Sequence, residues 1–189
     1  MIKSYCLLGA VLLVLFCVTA IPVQVANAAD RQYALAEQGT LQLNVPSSWK
    51  DDLEKDSEQL LASIVFTPTS GAPFGVVLNP IWPAKKDSPR PDSGALKRLV
   101  QRSAEEIKSQ TLEQTIEIVE VEAVSGAGYY FSVTDRSPSP QYKYLTQGIL
   151  PIGLFAVAFT IYTNDGQQEI VNETLAMLKS ATISGGKAD

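Results

Sequence analysis

Apolar and polar residues alternate over residues 40–45, the first regular pattern after the N-terminal segment. A period of two is typical of a half-buried strand, and Pro46 ends it. The same criteria predict six more strands, at residues 60–66, 74–82, 115–123, 129–133, 142–147 and 154–162. Residues 154–162 are apolar almost throughout, which predicts a central strand buried on both faces. Residues 125–128, rich in glycine, are predicted to form a hairpin turn.

Two segments repeat apolar residues at helical spacing instead. The first helix is predicted to begin at Asp92 or Ser93, both favoured N-cap residues. Its apolar face consists of Leu96, Leu99, Val100, Ala104, Ile107 and Thr111. The second is predicted to begin after Asn164-Asp165-Gly166, with Asp165 and Gln168 as a capping box. Its apolar stripe consists of Val171, Thr174, Leu175 and Leu178.

The order of these elements predicts the fold class. Strands joined by short turns favour antiparallel pairing, and amphipathic helices cover a sheet with their apolar faces. We therefore expect an α+β fold, an antiparallel sheet with helices packed against it.

The N-terminal segment has the three parts of a cleavable signal peptide. Lys3 supplies the positive charge, residues 7–18 form the apolar region, and Ala26-Asn27-Ala28 provides the small residues that signal peptidase recognises. We expect cleavage between Ala28 and Ala29. A transmembrane anchor is the alternative, but a spanning helix needs about 20 apolar residues, more than this run provides.

Export implies a periplasmic or secreted protein with no membrane anchor after cleavage. The expected parts are a signal peptide at residues 1–28, one domain at residues 29–183 and a flexible tail at residues 184–189.

Composition removes several functions from the mature chain. Both cysteines, Cys6 and Cys17, lie in the leader, and the sequence contains no histidine. Thiol chemistry, Ser-His triads and histidine metal sites are therefore excluded. The whole chain has 15 basic and 20 acidic residues, and loss of Lys3 with the leader changes the net charge from −5 to −6. That balance argues against nucleic acid as a partner, since a nucleic-acid-binding surface is basic.

One segment resembles a known family. Residues 39–49, with the sequence GTLQLNVPSSW, form a predicted strand that ends in a proline followed by a tryptophan. This opening is similar to that of the PsbP-like superfamily, which includes the extrinsic photosystem protein PsbP, the Ran-binding factor Mog and DcrB-like exported bacterial proteins. The resemblance covers most of residues 33–183.

The resemblance implies an antiparallel sheet sandwiched by helices, the α/β/α sandwich of PsbP and Mog. Family members mostly bind partners or stabilise assemblies, and they share no catalytic residues. We therefore expect a non-catalytic protein that binds a protein or a cell-envelope component. No catalytic, cofactor-binding or metal-binding residue is assigned.

Two motifs suggest alternative functions. Ser47 and Lys50 have the Ser-x-x-Lys spacing of penicillin-binding enzymes, which would make the protein a hydrolase, but the companion motifs are missing. The acidic segment 51–58 has acids at every second position from Asp52 to Glu58, which suggests a calcium-binding loop. The protein would then be a periplasmic protein that binds a small ligand or a divalent cation. The glycine and glutamate that an EF-hand needs are replaced by Ser57 and Ser63, so a solvated acidic loop is the alternative.

The favoured partner surface follows the predicted strand 74–82. Trp82 lies between prolines and is followed by Lys85 and Lys86, a rigid amphipathic feature of the kind that interfaces use. The alternative is that Trp82 ends the strand and covers the edge of the core. A second candidate surface is a platform of tyrosines on neighbouring strands, for which cross-strand packing is the alternative. These tyrosines are Tyr129, Tyr130, Tyr142 and Tyr144.

Overall fold

Strands dominate the part of the chain that the structure describes. This computed structural model describes residues 28–35, 39–54, 63–81, 92–138 and 141–185. The strands are β1 (Ala28–Ala34), β2 (Thr40–Pro46), β3 (Trp49–Glu54), β4 (Ser63–Pro68), β5 (Gly75–Ile81), β6 (Val119–Ala123), β7 (Gly126–Thr134), β8 (Tyr144–Ile152), β9 (Phe155–Thr163) and β10 (Thr182–Ser184). The α-helices are α1 (Ser93–Ile107) and α2 (Gln168–Ser180).

The strands form two antiparallel sheets. The larger has seven strands in the order β3-β4-β5-β9-β8-β7-β6, and the smaller has three in the order β1-β2-β10. Strand β9 lies at the centre of the larger sheet, and most of its residues are buried, as its apolar sequence predicts. The α+β class is confirmed.

Each face of the larger sheet has its own core. Helix α1 packs against β7 and β8 on one face, where its Leu96, Val100 and Ala104 contact Phe131 and neighbouring apolar residues. The other face carries α2 together with the three-stranded sheet, and there the fully buried side chains include Trp49 and Phe66. Alternating side chains along each strand therefore contribute to both cores.

Helix α1 begins where the sequence predicts. The side chain of Asp92 accepts a hydrogen bond from the Ala95 backbone N–H at 2.7 Å, which caps the helix. The capping box predicted for α2 is wrong. Gln167 is the N-cap, and its side chain accepts from the Asn164 backbone N–H at 2.7 Å and does not cap the helix. Asp165 instead binds the side chains of Lys143 and Tyr144.

Three strands lie outside the predicted pattern. Strand β1 pairs with β2 and carries exposed residues at most positions, and β10 is only three residues long. Strand β3 contains Asp51 to Glu54, so the predicted acidic loop begins as an edge strand.

Asp51 pairs with Arg31, and it also accepts a hydrogen bond from the Tyr33 hydroxyl at 2.9 Å. Burial and this carboxylate raise the pKa of Tyr33.

The predicted signal peptide lies almost wholly in residues 1–27, outside the described residues, and Ala28 is the first residue of β1. Of the predicted tail, Ser184 ends β10 and residues 186–189 lie outside the described part. Neither helix in the described ranges is long and apolar enough to cross a lipid bilayer.

Candidate functional site

One end of the larger sheet exposes aliphatic side chains. Two hairpin turns lie side by side there, and the Gly153 backbone N–H donates to the Ser125 hydroxyl at 2.7 Å. Each turn carries an aliphatic residue, Val124 at 92% exposure and Leu154 at 64%. Strand β5 ends beside them, where Ile81 pairs with β9 and is 45% exposed. We call Ile81, Val124 and Leu154 the apolar end.

The sequence prediction misplaced the first of these turns. The turn residues are Val124 and Ser125, and Gly126 already begins β7 with a φ of 121°. A β-branched residue in a tight turn is unusual, since turns favour Gly, Pro, Asn, Asp and Ser. Val124 between two predicted strands was therefore a signal that could have pointed to this surface.

A small apolar cavity adjoins the apolar end. Its volume is about 180 Å³, and it lies between α1 and the strands that α1 leaves partly open. Ile81 belongs to both features, and Leu99 on α1 is 49% exposed at the cavity. The Ser103 hydroxyl donates to Gln147 Oε1 at 2.8 Å and supplies polar groups to the cavity wall. Ile81 therefore links the apolar end to the cavity beside α1.

A polar cleft lies toward the opposite end of the sheet, on the face that carries α2. Its volume is about 360 Å³. Its lining includes hydroxyl, carboxylate and amide groups as well as apolar side chains. The polar lining residues include Glu113, Ser132, Thr146, Thr163, Asp165 and Gln168.

Buried hydroxyls lie on the β8 and β9 side of this polar cleft. Thr146 is 2% exposed, and its hydroxyl lies 2.7 Å from the Ser132 hydroxyl. Thr163 lines the cleft beside it and is 4% exposed.

The rim of the polar cleft carries a charged pair. Lys143 Nζ lies 2.9 and 3.0 Å from the two Asp165 oxygens, and the Tyr144 hydroxyl donates to Asp165 at 2.6 Å. The Tyr144 hydrogen bond and then Lys143 lower the pKa of Asp165, while the hydrogen bond to Asp165 raises the pKa of Lys143. Both groups are therefore charged at neutral pH.

Glu113 lines the polar cleft from the segment between α1 and β6. Its Oε1 accepts a hydrogen bond from the Thr134 backbone N–H at 2.9 Å. Its other oxygen, Oε2, is shielded from solvent and has no partner among the described residues. A shielded acceptor without a donor destabilises a fold by about 1–3 kcal/mol, more when it is charged. No motif in the sequence pointed to Glu113.

The residues of the predicted partner surface, Trp82, Lys85 and Lys86, lie outside the described residues, so that surface stays a prediction. Of the proposed calcium ligands, Asp52 and Glu54 are exposed on β3, and the next two acids lie outside the described ranges. In the ranges described, no group of three His, Cys, Asp or Glu side chains is placed to hold a metal ion.

The four tyrosines do not form one platform. Tyr129 faces α1, where its hydroxyl lies 2.6 Å from that of Ser93, while Tyr130 packs on the opposite core. Tyr142 stacks on Tyr162 with ring centroids 5.4 Å apart, and Tyr144 binds Asp165. Adjacent residues of a strand point to opposite faces, which separates Tyr129 from Tyr130.

Comparison with known proteins finds a likeness in structure alone. No protein-family model matches the chain, and no curated protein matches it. The chain is similar to a solved PsbP. That structure is the solution structure of cyanobacterial PsbP (CyanoP) from Synechocystis sp. PCC 6803, with 11% sequence identity, a TM-score of 0.47, and coverage of 88% of this chain and 98% of that chain. The solved structure is a PsbP, the family that the sequence resembles.

Proposed function

We propose that this chain is an exported, non-catalytic PsbP-type protein that binds a partner protein through the apolar end. The observation that carries the proposal is the pair of adjacent turns with Val124 and Leu154 exposed at 92% and 64%. Isolated exposed aliphatic residues are common, but two of them on adjacent turns can be covered by a single partner surface. Covering such a patch is favourable by about 25 cal/mol for each Å² removed from water.

Charge favours a protein over an anionic membrane as the partner. Strand β6 leads into the first turn and carries exposed Glu120 and Glu122. The mature chain is acidic as well, and anionic lipid surfaces attract basic segments rather than acidic ones. The partner surface that fits is therefore apolar at its centre and basic at its rim.

The remaining parts of the proposal concern compartment and architecture. The leader supports export to the periplasm or the extracellular space, with no anchor after cleavage. The packing of α1 on one sheet face and α2 on the other supports the helix-flanked sandwich of PsbP-like proteins. Nucleic acid is not the partner, since the mature chain is acidic.

Site-specific photo-crosslinking in the producing cells tests the apolar end. A photoreactive amino acid is placed at position 124 or 154, and at position 112 as the control. Leu112 is 60% exposed, close to the value for Leu154, but it lies next to the opposite end of β7. We expect the same discrete adduct from positions 124 and 154, and not from position 112.

The yield of the adduct is then compared across variants. Val124→Ser with Leu154→Ser should abolish it, whereas Leu112→Ser should leave it unchanged. Identical adducts from all three positions, or none from 124 and 154, would show that the apolar end is not a binding surface. Co-sedimentation with anionic vesicles that is lost in the double variant would instead identify a membrane as the partner and refute the proposal.

A further inference from the structure

We propose that the polar cleft binds a small organic cation that carries a primary ammonium group. This inference is independent of the partner surface, which lies at the other end of the sheet. The cleft offers oxygen acceptors from carboxylates and hydroxyls, and none of its described lining residues is a lysine or an arginine. An ammonium group has three donors and no acceptor, so it complements such a lining.

Thr163 is the first acceptor that the polar cleft offers. It lines the cleft and is 4% exposed. The hydroxyl of Thr146 beside it is already paired with that of Ser132. A ligand donor placed over β9 would satisfy the Thr163 oxygen.

Glu113 is the second acceptor, and it lines the cleft as well. Its Oε1 is held by the Thr134 N–H, while Oε2 is shielded and unpaired. An ammonium group bound beside this carboxyl group would supply the donor that Oε2 lacks. An ammonium donor then meets a charged acceptor, and charge-assisted hydrogen bonds are roughly twice as strong as neutral ones.

Size and charge distinguish this ligand from others. A volume of about 360 Å³ is in the range of small-molecule sites and far exceeds a single ion. Two carboxylates line the cleft, and Asp165 is paired with Lys143 while Glu113 has no cationic partner among the described residues. The N-terminus of α2 borders the cleft at Gln168 and would favour an anion, so phosphate is a necessary comparison.

Isothermal titration calorimetry and thermal melting of the purified protein test the proposal with three probes. These are 1,4-diaminobutane, the neutral isostere 1,4-butanediol, and inorganic phosphate. We expect the diamine alone to bind saturably at one site and to raise the melting temperature. Equal binding of the diol or of phosphate, or no saturable binding of the diamine, would overturn the proposal.

Substitutions then locate the site. Glu113→Gln keeps the acceptor for the Thr134 N–H and removes the charge, so we expect diamine affinity to fall about tenfold or more. Glu117→Gln is the matched control, because Glu117 is exposed on the same segment and its loss changes the net charge equally. The diamine affinity of Glu117→Gln should equal that of the wild type.

Thr163→Val is the second variant and should also weaken binding, because it removes the hydroxyl acceptor while keeping the side-chain shape. It carries the test if Glu113→Gln does not fold. Wild-type affinity in both folded variants, or equal losses in Glu113→Gln and Glu117→Gln, would show that the diamine binds elsewhere by general charge attraction.

Discussion

Replacement of Gly148 by alanine should strongly destabilise the centre of the larger sheet. Gly148 lies in β8, opposite Tyr130 on β7 and Phe159 on β9. A Cβ added at this position would lie 2.5 Å from the Tyr129 backbone oxygen, 2.5 Å from the Tyr130 Cβ and 2.6 Å from the Phe159 Cζ. Groups from both neighbouring strands therefore occupy the space that a side chain needs.

The expected loss of stability follows from these distances. Carbon atoms pack best at about 3.5–4.0 Å, so the new methyl group would be roughly 1 Å too close on two sides. Overpacking typically costs about 1–3 kcal/mol. We expect about 3 kcal/mol here, because the Tyr129 oxygen is backbone and can move only if the strand moves. In a domain of this size each kcal/mol shifts the melting temperature by about 2–4 °C, so it should fall by about 6–12 °C.

Gly75→Ala is the matched control in another strand of the same sheet. The nearest atoms to its added Cβ, from Tyr142 and Tyr162, lie at 3.5 Å, which is ordinary contact. Such a change is neutral or stabilises by up to about 1 kcal/mol, because alanine restricts the unfolded chain. Thermal melts and urea titrations of both variants measure the difference. A Gly148→Ala melting temperature within about 2 °C of the wild type would correspond to less than about 1 kcal/mol and would refute the packing argument. An equal drop in Gly75→Ala would refute it as well.

Two further predictions concern charge and processing. Asp165→Asn should lower the melting temperature at neutral pH, and the difference from the wild type should vanish in acid, because a carboxyl whose folded pKa lies below its ordinary 3.8 stabilises only while it is ionised. A difference that persists unchanged as the pH falls well below 3.8 would show that the pair with Lys143 is not responsible. Mass spectrometry of the exported protein should find an N-terminus at Ala29, and a retained leader would contradict the signal-peptide assignment.

Local sequence patterns were sufficient to predict those strands and helices in which buried positions recur at a regular spacing. The alternation in β2, the apolar run in β9 and the helical spacing of α1 each report which side chains face a core, so these elements were predicted near their true positions. The Asp92 cap of α1 is also local, because the side chain and the N–H that it binds are three residues apart. The α+β class follows from the order of such elements.

Long-range pairing decided the elements that were missed. Five of the six residues of β3 are exposed, because it is an edge strand, and so it shows no alternation of apolar and polar residues. Strand β10 exists through its pairing with β2, which lies far away in sequence. The residue expected to cap α2, Asp165, is instead held by Lys143 and Tyr144. No local window contains both partners of these contacts.

The sequence by itself determined the class of fold and the absence of histidine chemistry, because composition and periodicity need no knowledge of distant neighbours. Only the tertiary structure decided where binding surfaces can lie. Val124 and Leu154 become neighbours because antiparallel strands bring their turns to one end of the sheet. Glu113 and Thr163 line one polar cleft for the same reason, since residues far apart in the chain meet only when strands pair and a helix closes over them.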